Sequence, residues 1–251
     1  MYSMPYEYCS PFTLKGFYRT IRFKMEFGLS RSAVWSILKR FKIKDWYFQV
    51  MDEWSYWPES NRANDWIINN MPKSASILDT GCGIGIHLIR LEKNGFSSLH
   101  GSDIDPEVIR AGEAIIKINT SNIQLMQEDC LRPQREKRPF EVIVFMSWIY
   151  HQRDFSLGQV LKTYLPYMSA NCKIILNLVD ATFRNNPNNE YHSNDWDKSV
   201  STRRGTQYLQ RHAHEDVIHE MASLPFKIIH VERFSKKVPK LLYILERSES
   251  L

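Results

Sequence analysis

Apolar residues recur every three or four positions in the first third of the chain, which is the period of an α-helix. One such stripe lies within residues 31–41, and Ser30 stands before it as a suitable N-capping residue. The same spacing predicts two more short helices, over residues 44–54 and 61–70. We therefore expect residues 1–71 to form a helical extension that precedes the main domain.

Short apolar runs alternate with helical stripes from residue 76 onward, and this alternation predicts a parallel sheet with crossover helices. The predicted strands cover residues 76–80, 98–103, 123–127, 141–146 and 173–179, with a closing pair at 227–234 and 241–246. The predicted helices cover residues 86–93, 106–118, 157–168 and 214–223. Residues 181–211 are polar and rich in Asn, which favours an insertion or lid. We therefore expect an α/β domain over residues 72–251.

Composition excludes several classes of protein. Apolar residues make up 43% and charged residues 24% of the chain, values typical of globular proteins. No run approaches the roughly 18–20 apolar residues of a membrane span, and the N-terminus lacks a signal-peptide pattern, so we expect a cytoplasmic protein without a membrane partner. The cysteines form no C-x-x-C pair, which predicts free thiols rather than a zinc site. They are Cys9, Cys82, Cys130 and Cys172.

The net charge of +5 is mild, but it is concentrated near the N-terminus. Residues 1–44 contain nine Lys and Arg against two acids. Such an excess suits an anionic acceptor, and basic residues interleaved with aromatic ones are also typical of a nucleic-acid-binding face. A solvated helix surface explains the same charges. The interleaved aromatic residues are Phe17, Tyr18, Phe23 and Trp35.

The most specific motif follows the first predicted strand and reads D-x-G-x-G-x-G from Asp79 to Gly85. Glycines tolerate positive φ, and a helix start presents free N–H groups to a ligand. A dinucleotide fingerprint would require Gly at position 86, where this chain has Ile86, and no phosphate-loop spacing is present. A carboxylate two residues before the first glycine suits a cationic ligand group better than a pyrophosphate.

With this motif and the five β/α units that follow it, the chain resembles the class I S-adenosylmethionine-dependent methyltransferases over about residues 72–247. The first motif of that family is matched by residues 77–85. The resemblance implies a seven-stranded Rossmann-like sheet flanked by helices, with residues 1–71 outside it. It also implies S-adenosyl-L-methionine as cofactor and S-adenosyl-L-homocysteine as product.

The resemblance places cofactor contacts at the ends of the first three strands. Asp103 would accept hydrogen bonds from both ribose hydroxyls, and Ile104 would lie against the adenine ring. The alternative for Asp103 and Asp105 is to cap the following helix, a role that suits Asp105 well. Asp129 and the backbone of Cys130 would bind the adenine edge, the alternative for Asp129 being an exposed acidic loop. The contacts implied at the methionine end are Asp79, Gly81, Cys82, Gly83 and Gly85.

The segment after the fourth strand, with Ser147, Trp148 and His151, faces the methyl acceptor in this family, and we expect Ser147 and Trp148 to contact the cofactor. It lacks the Asn/Asp-Pro-Pro-aromatic turn of base-amino methyltransferases, the Cys of cytosine-carbon methyltransferases and the Asp of metal-dependent catechol-type enzymes, so we expect no metal. His151 suits a general base, since the ordinary pKa of His is about 6.5; the alternative is packing or substrate positioning. Other candidates for the base are His192, Asp195, His212 and His214.

The leading hypothesis is a methyltransferase that modifies an oxygen or nitrogen of a small-molecule acceptor, an anionic one if the basic N-terminal third is involved. The alternatives are an RNA-modifying methyltransferase and a cofactor-binding protein without catalysis. Residues 181–211 and the aromatic N-terminal helices are the segments that could close the site, although the aromatic residues equally suit a helical core. Those aromatic residues are Trp46, Tyr47, Trp54, Tyr56 and Trp57.

Overall fold

Four helices precede the first strand in the computed structural model of the chain. They are α1 (Leu14–Phe27), α2 (Arg31–Arg40), α3 (Asp45–Asp52) and α4 (Pro58–Asn70). The side chain of Thr13 accepts the N–H of Gly16 at the start of α1, and that of Ser30 accepts the N–H of Ala33 at the start of α2. α1 ends at Gly28, whose φ of 68° lies in the left-handed region that glycine adopts easily. The helical spacing seen in the sequence is confirmed.

The structure describes residues 12–52, 57–118, 121–152, 154–185, 209–234 and 238–248. Most of the predicted insertion or lid, including His192 and Asp195, lies outside the described residues. Cys9, Trp54 and Tyr56 and the side chain of Trp46 lie outside them as well.

A buried ion pair ties the first three helices together. Arg31 is 1% exposed and Asp52 2% exposed. The Nε of Arg31 donates to Asp52 Oδ1 over 2.5 Å, and a second guanidinium nitrogen donates to Oδ2 over 3.0 Å. Arg19 of α1 lies 3.4 Å from the same carboxylate. Because removing one partner would leave an uncompensated buried charge, this pair fixes α3 relative to α1 and α2.

The chain folds as two compact units, one up to Cys130 and one from Leu131. In the first unit the strands are parallel and hydrogen-bonded in the order β3-β2-β1. The elements of this unit after α4 are β1 (Ser76–Thr80), α5 (Ile86–Lys93), β2 (Ser98–Asp103), α6 (Pro106–Lys117) and β3 (Gln124–Gln127). α6 begins as predicted, because Asp105 caps it by accepting the N–H groups of Glu107 and Val108.

In the second unit the strands are hydrogen-bonded in the order β4-β5-β7-β6. The strands β4 and β5 are parallel, whereas β7 is antiparallel to both of its neighbours. The elements are β4 (Phe140–Phe145), α7 (Leu157–Tyr164), β5 (Met168–Val179), α8 (His214–Met221), β6 (Phe226–Phe234) and β7 (Lys240–Arg247).

The seven strands form a mixed sheet flanked by helices, which confirms the predicted fold class. The main difference from the sequence prediction lies around Pro166. The helix predicted to reach residue 168 ends at Tyr164, and a 3-10 turn over Leu165–Tyr167 follows. Proline has no N–H for a helical hydrogen bond, so the α-helix does not continue through Pro166. The strand β5 then begins at Met168, earlier than the predicted residue 173. Within the described part of the chain, no helix is long and apolar enough to cross a membrane.

Candidate cofactor site

The glycine turn between β1 and α5 has the backbone geometry that its sequence requires. Gly81, Gly83 and Gly85 have φ of 64°, 57° and 78°, a region that residues with a Cβ rarely adopt. Gly85 occupies the N-cap position of α5. The first N–H groups of the helix therefore lie at the turn, whereas the N–H groups of the three glycines donate to Cys130 Sγ, to Asp103 Oδ2 and to the carbonyl of Cys82.

Asp103, the last residue of β2, accepts a hydrogen bond directly from this turn. Its Oδ2 accepts the N–H of Gly83 over 2.9 Å, and its Oδ1 accepts the N–H of Asp105 over 3.0 Å. Burial raises the pKa of Asp103, while these backbone donors oppose the rise. Each carboxylate oxygen has further lone pairs for a ligand. The carboxylate thus both fixes the turn and can receive hydroxyl donors.

Asp79 is more deeply buried than Asp103 and less well bonded. It is 2% exposed, and its Oδ2 accepts no hydrogen bond from the described residues. Burial, and then the charge of Asp103, raises the pKa of Asp79 well above its ordinary value. A buried carboxylate oxygen without a donor is costly, so this position is suited to a ligand that supplies N–H donors or positive charge.

Tyr47 of α3 covers the glycine turn. A Cβ placed on Gly83 would lie 2.8 Å from Tyr47 Cε1, so a larger residue at position 83 would collide with the ring. Burial, and then the charge of Asp103, raises the pKa of Tyr47, which keeps its hydroxyl protonated. The helical extension therefore places Tyr47, one of the aromatic residues that could close the site, beside the glycine turn. Phe23, in contrast, is 1% exposed and belongs to the core.

The segment after β3 supplies a thiol and a carboxyl group, and the residue after β2 supplies an apolar side chain. The N–H of Gly81 donates to Cys130 Sγ over 3.1 Å, and the N–H of Glu128 donates to the carbonyl of Asp103 over 2.9 Å. Asp129 between them is half-buried. Ile104 is 63% exposed although it is large and apolar. These residues could together hold a flat apolar ring with polar edges.

The two thiols of the site are not nucleophiles. Burial raises the pKa of Cys82 well above its ordinary value, and the charge of Asp79 adds to the rise. Burial likewise raises the pKa of Cys130 to about 11. Both thiols are therefore protonated near neutral pH, and a protonated thiol does not react as a nucleophile; only the thiolate does.

His87, two residues beyond the glycine motif, is a weak base. Burial, and then the charge of Arg90, lowers the pKa of His87 to about 4. Its Nδ1 lies 2.5 Å from Nδ2 of Asn64 on α4. His87 is therefore neutral near pH 7 and joins α5 to α4.

In the second unit, Ser147 and Asn177 form a hydrogen-bonded pair near the ends of β4 and β5. Ser147 has a φ of 66°, which is strained for a residue with a side chain. Its N–H donates to Asn177 Oδ1 over 2.7 Å, and Asn177 Nδ2 donates to Ser147 Oγ over 3.3 Å. Asn177 is fully buried. The sequence prediction missed this role, although an amide in an otherwise apolar strand was a signal that could have indicated it.

His151 and Trp148 follow Ser147 on a short turn. His151 closes a 3-10 turn that begins at Ile149, is exposed, and stacks edge-on against the buried ring of Tyr150 at a centroid distance of 4.5 Å. Trp148 is half-buried beside Phe145, with a centroid distance of 6.1 Å. An exposed imidazole at a strand end is accessible to a substrate.

The two other candidate bases that the structure describes, His212 and His214, are less exposed than His151. Burial lowers the pKa of His212, and its backbone bridges to that of Asp180. The Nδ1 of His214 lies 3.0 Å from the hydroxyl of Tyr243. Among the described residues, no group of three or more His, Cys, Asp or Glu side chains could hold a metal ion.

Residues 77–171 match the sequence model of a family described as methyltransferase domain. EEF1A lysine methyltransferase 2 of Mus musculus is 40% identical over 86 residues, 34% of this chain and 35% of that protein. Ribosomal protein L11 methyltransferase of Hydrogenovibrio crunogenus is 36% identical over 59 residues, 24% of this chain and 20% of that protein. The chain thus spans at most about a third of the length of these curated relatives.

Solved structures of methyltransferases have the same fold. Magnesium protoporphyrin IX methyltransferase from Synechocystis PCC 6803, with bound S-adenosylhomocysteine, superposes with a TM-score of 0.59 at 17% identity. The superposition covers 95% of this chain and 97% of that chain. At this level of identity the similarity concerns the fold alone.

Proposed function

We propose that this protein, whose residues 77–171 match the sequence model of a methyltransferase domain, transfers the methyl group of S-adenosylmethionine to an oxygen or nitrogen of a small-molecule acceptor. The observation that carries the proposal is the arrangement at the glycine turn. There, a buried carboxylate oxygen of Asp79 accepts no hydrogen bond from the described residues, beside a turn that Asp103 fixes in place.

The donor groups of S-adenosylmethionine fit these residues one by one. Its ammonium group would donate to Asp79 Oδ2 and to backbone carbonyl groups of the glycine turn. Its ribose hydroxyls would donate to Asp103, and its adenine ring would cover the exposed side chain of Ile104. The adenine edge would be bound by Asp129 and the backbone N–H of Cys130. The remaining proposed contacts are Gly81, Cys82, Gly83, Gly85, Ser147 and Trp148.

S-adenosylmethionine, when bound, supplies a methyl group on a sulfonium whose departure leaves a neutral thioether. The protein's residues therefore mainly align the reactants and exclude water, and alignment can account for on the order of 7–11 kcal/mol of a reaction barrier. Tyr47 covers the turn and limits access of water to it. His151 is the proposed acceptor of the proton that the attacking hydroxyl or amine loses.

A small acceptor is favoured by the covered turn. Tyr47 reaches the glycine turn from the extension, and an enclosed site admits a metabolite more readily than a folded macromolecule. The excess of basic residues within residues 1–44 favours an anionic metabolite. The buried cysteines Cys82, Cys130 and Cys172 form no disulfide bond with one another, which favours action in the cytoplasm.

Methylation of a protein lysine is the second candidate. It is favoured by the 40% identity with EEF1A lysine methyltransferase 2 over 86 residues. A lysine side chain is long and narrow and can enter a covered site that a folded domain cannot.

The deciding experiment is a labelled-methyl transfer assay with three acceptor pools, namely metabolites, proteins and RNA from the same extract. We expect label in the metabolite pool. Label in protein alone would establish the second candidate, and label in RNA alone would establish the nucleic-acid alternative. Calorimetric binding of S-adenosylmethionine without transfer to any pool would indicate a cofactor-binding protein instead of an enzyme.

The proposed base is tested separately with the His151→Ala and His151→Gln variants. We expect kcat to fall about a hundredfold in both, with the binding of S-adenosylmethionine unchanged, because general-base catalysis contributes at least about that factor. Near-wild-type turnover in either variant would show that alignment suffices without this base.

A further inference from the structure

α1 carries a continuous apolar stripe on its outward face. The stripe consists of Leu14, Phe17, Tyr18, Ile21 and Met25, whose exposed fractions lie between 44% and 88%. Residues three or four apart share one face of a helix, so these side chains form a single ridge. The opposite face of α1 is buried and contains Gly16, Phe23 and Phe27. α1 therefore has two apolar faces, and packing within the first unit uses one of them.

Basic residues flank the stripe on both sides. At about 100° per residue, Lys15 and Arg22 lie roughly 80–100° to one side of Leu14, and Lys24 lies about 80° to the other side. The one acid in the helix, Glu26, is 3.6 Å from Arg90 of α5 and so has a cationic partner of its own. The exposed half of α1 is thus apolar at its centre and cationic at both edges.

The shape and charge of this surface indicate which kind of partner can bind to it. Large contiguous apolar patches are rare on the free surfaces of monomeric proteins. A second copy docked through a two-fold axis would bring the same patch, with its cationic edges, against itself. The stripe is a convex ridge and not a groove, so it suits insertion into a deformable anionic layer. A helix with Phe, Tyr and Leu beside Lys and Arg is typical of the membrane interface.

We propose that α1 binds the surface of an anionic lipid membrane, with the stripe at the boundary between headgroups and acyl chains. Lys15, Arg22 and Lys24 then contact the lipid phosphates. The helix lies on the membrane and does not cross it, in keeping with its 14 residues. None of these side chains is a proposed cofactor contact or the proposed base, so membrane binding is tested separately from methyl transfer.

The test is flotation of the full chain with two kinds of vesicle, phosphatidylcholine alone and phosphatidylcholine containing about one third phosphatidylglycerol. We expect binding to the anionic vesicles only. A stripe variant, L14S/F17S/I21S/M25S, and a flank variant, K15Q/R22Q/K24Q, should both lose it. Each basic residue near an anionic surface strengthens binding about fivefold, so the flank variant should bind roughly a hundredfold more weakly. Circular dichroism and thermal melting should be unchanged, because the altered side chains are at the surface.

A matched control removes the same charge elsewhere, in the variant K137Q/K162Q/K227Q, whose three lysines are exposed. It should retain binding to within a fewfold. The proposal is overturned if the wild type binds neither vesicle, or if the stripe variant still binds the anionic vesicles. It is equally overturned if the wild type sediments as a dimer, the stripe variant sediments as a monomer, and neither binds vesicles. The stripe would then join two copies of the chain.

Discussion

The polar side chains at the strand ends have different hydrogen-bond partners in the two units. In the first unit, Asp79 is buried with one carboxylate oxygen that accepts no hydrogen bond from the described residues. In the second unit, polar groups at the strand ends bond to one another. Ser147 pairs with Asn177, and Asp180 accepts the N–H of Thr182 over 2.8 Å and lies 2.9 Å from a guanidinium nitrogen of Arg233.

The difference lies between a buried carboxylate oxygen that accepts no hydrogen bond from the described residues and strand-end groups that already have polar partners. A buried oxygen without a donor lowers the free energy of unfolding until a ligand supplies the donor. Ligand binding should therefore stabilise the first unit. The strand-end groups of Ser147, Asn177 and Asp180 already have polar partners in the protein, so these strand ends should be as ordered without the cofactor as with it.

The largest effect is expected from the Asp103→Ala variant. It removes an acceptor for two ribose hydroxyls, each worth about 1.5–3 kcal/mol when the acceptor is charged, so S-adenosylmethionine should bind on the order of a thousandfold more weakly in calorimetry. Asp105→Ala is the matched control, because Asp105 caps α6. It should lower the free energy of unfolding by about 0.5–2 kcal/mol and leave the affinity unchanged. Equal losses of affinity in the two variants would contradict the proposed role of Asp103.

The Gly83→Ala variant tests the covered turn. The new Cβ would be 2.8 Å from Tyr47 Cε1, at a φ of 57°, so strain and overpacking should together lower the free energy of unfolding by about 2–4 kcal/mol. Gly95→Ala is the control for strain alone, since its φ is 93° and Lys73 Cγ lies 3.9 Å away. It should cost about 1–2 kcal/mol in urea denaturation and leave cofactor affinity intact. A cost for Gly83→Ala no larger than for Gly95→Ala would mean that Tyr47 moves away without penalty.

The Asp79→Asn variant should separate stability from binding. The pKa of Asp79 is raised in the folded protein, so the unfolded chain releases this proton at lower pH than the folded chain does. The free energy of unfolding of the ligand-free wild type should fall as pH rises from the ordinary value near 4 toward the raised pKa. Asp79→Asn should reduce that fall and bind S-adenosylmethionine roughly tenfold more weakly, since a charge-assisted hydrogen bond is lost. Chemical denaturation across pH measures the first effect, and an unchanged pH dependence would refute it.

The smallest effect is expected in the second unit, from Ser147→Gly. Glycine relieves the strain of a φ of 66° while the N–H still donates to Asn177, so the free energy of unfolding should change by no more than about 1 kcal/mol. Ser147→Ala retains the strain and loses the Oγ contact, and should be the less stable of the two. Thermal melting ranks them. If Ser147→Gly proves less stable than Ser147→Ala, the φ of 66° does not strain the backbone at this position.

Local signals were sufficient for most of the elements. Asp105 before Pro106 predicted the start of α6, because a cap and a proline act within one helical turn. The end of α7 was predicted too far along the chain, since the apolar spacing continued through Pro166 and outweighed the missing N–H. Asp79 stood out because it lies two residues before the first glycine, and Asp103 because it ends the second predicted strand, where the family resemblance implies a ribose contact.

The sequence alone determined the strand and helix order, the fold class, and the carboxylates beside the glycine turn, because each of these depends on residues close together in the chain. Only the tertiary structure brought Tyr47 onto Gly83 and paired Ser147 with Asn177 across 30 positions. It also decided which face of α1 is buried, which the apolar spacing could not do because both faces are apolar. Such contacts arise from packing between distant segments, and periodicity carries no record of which segments meet.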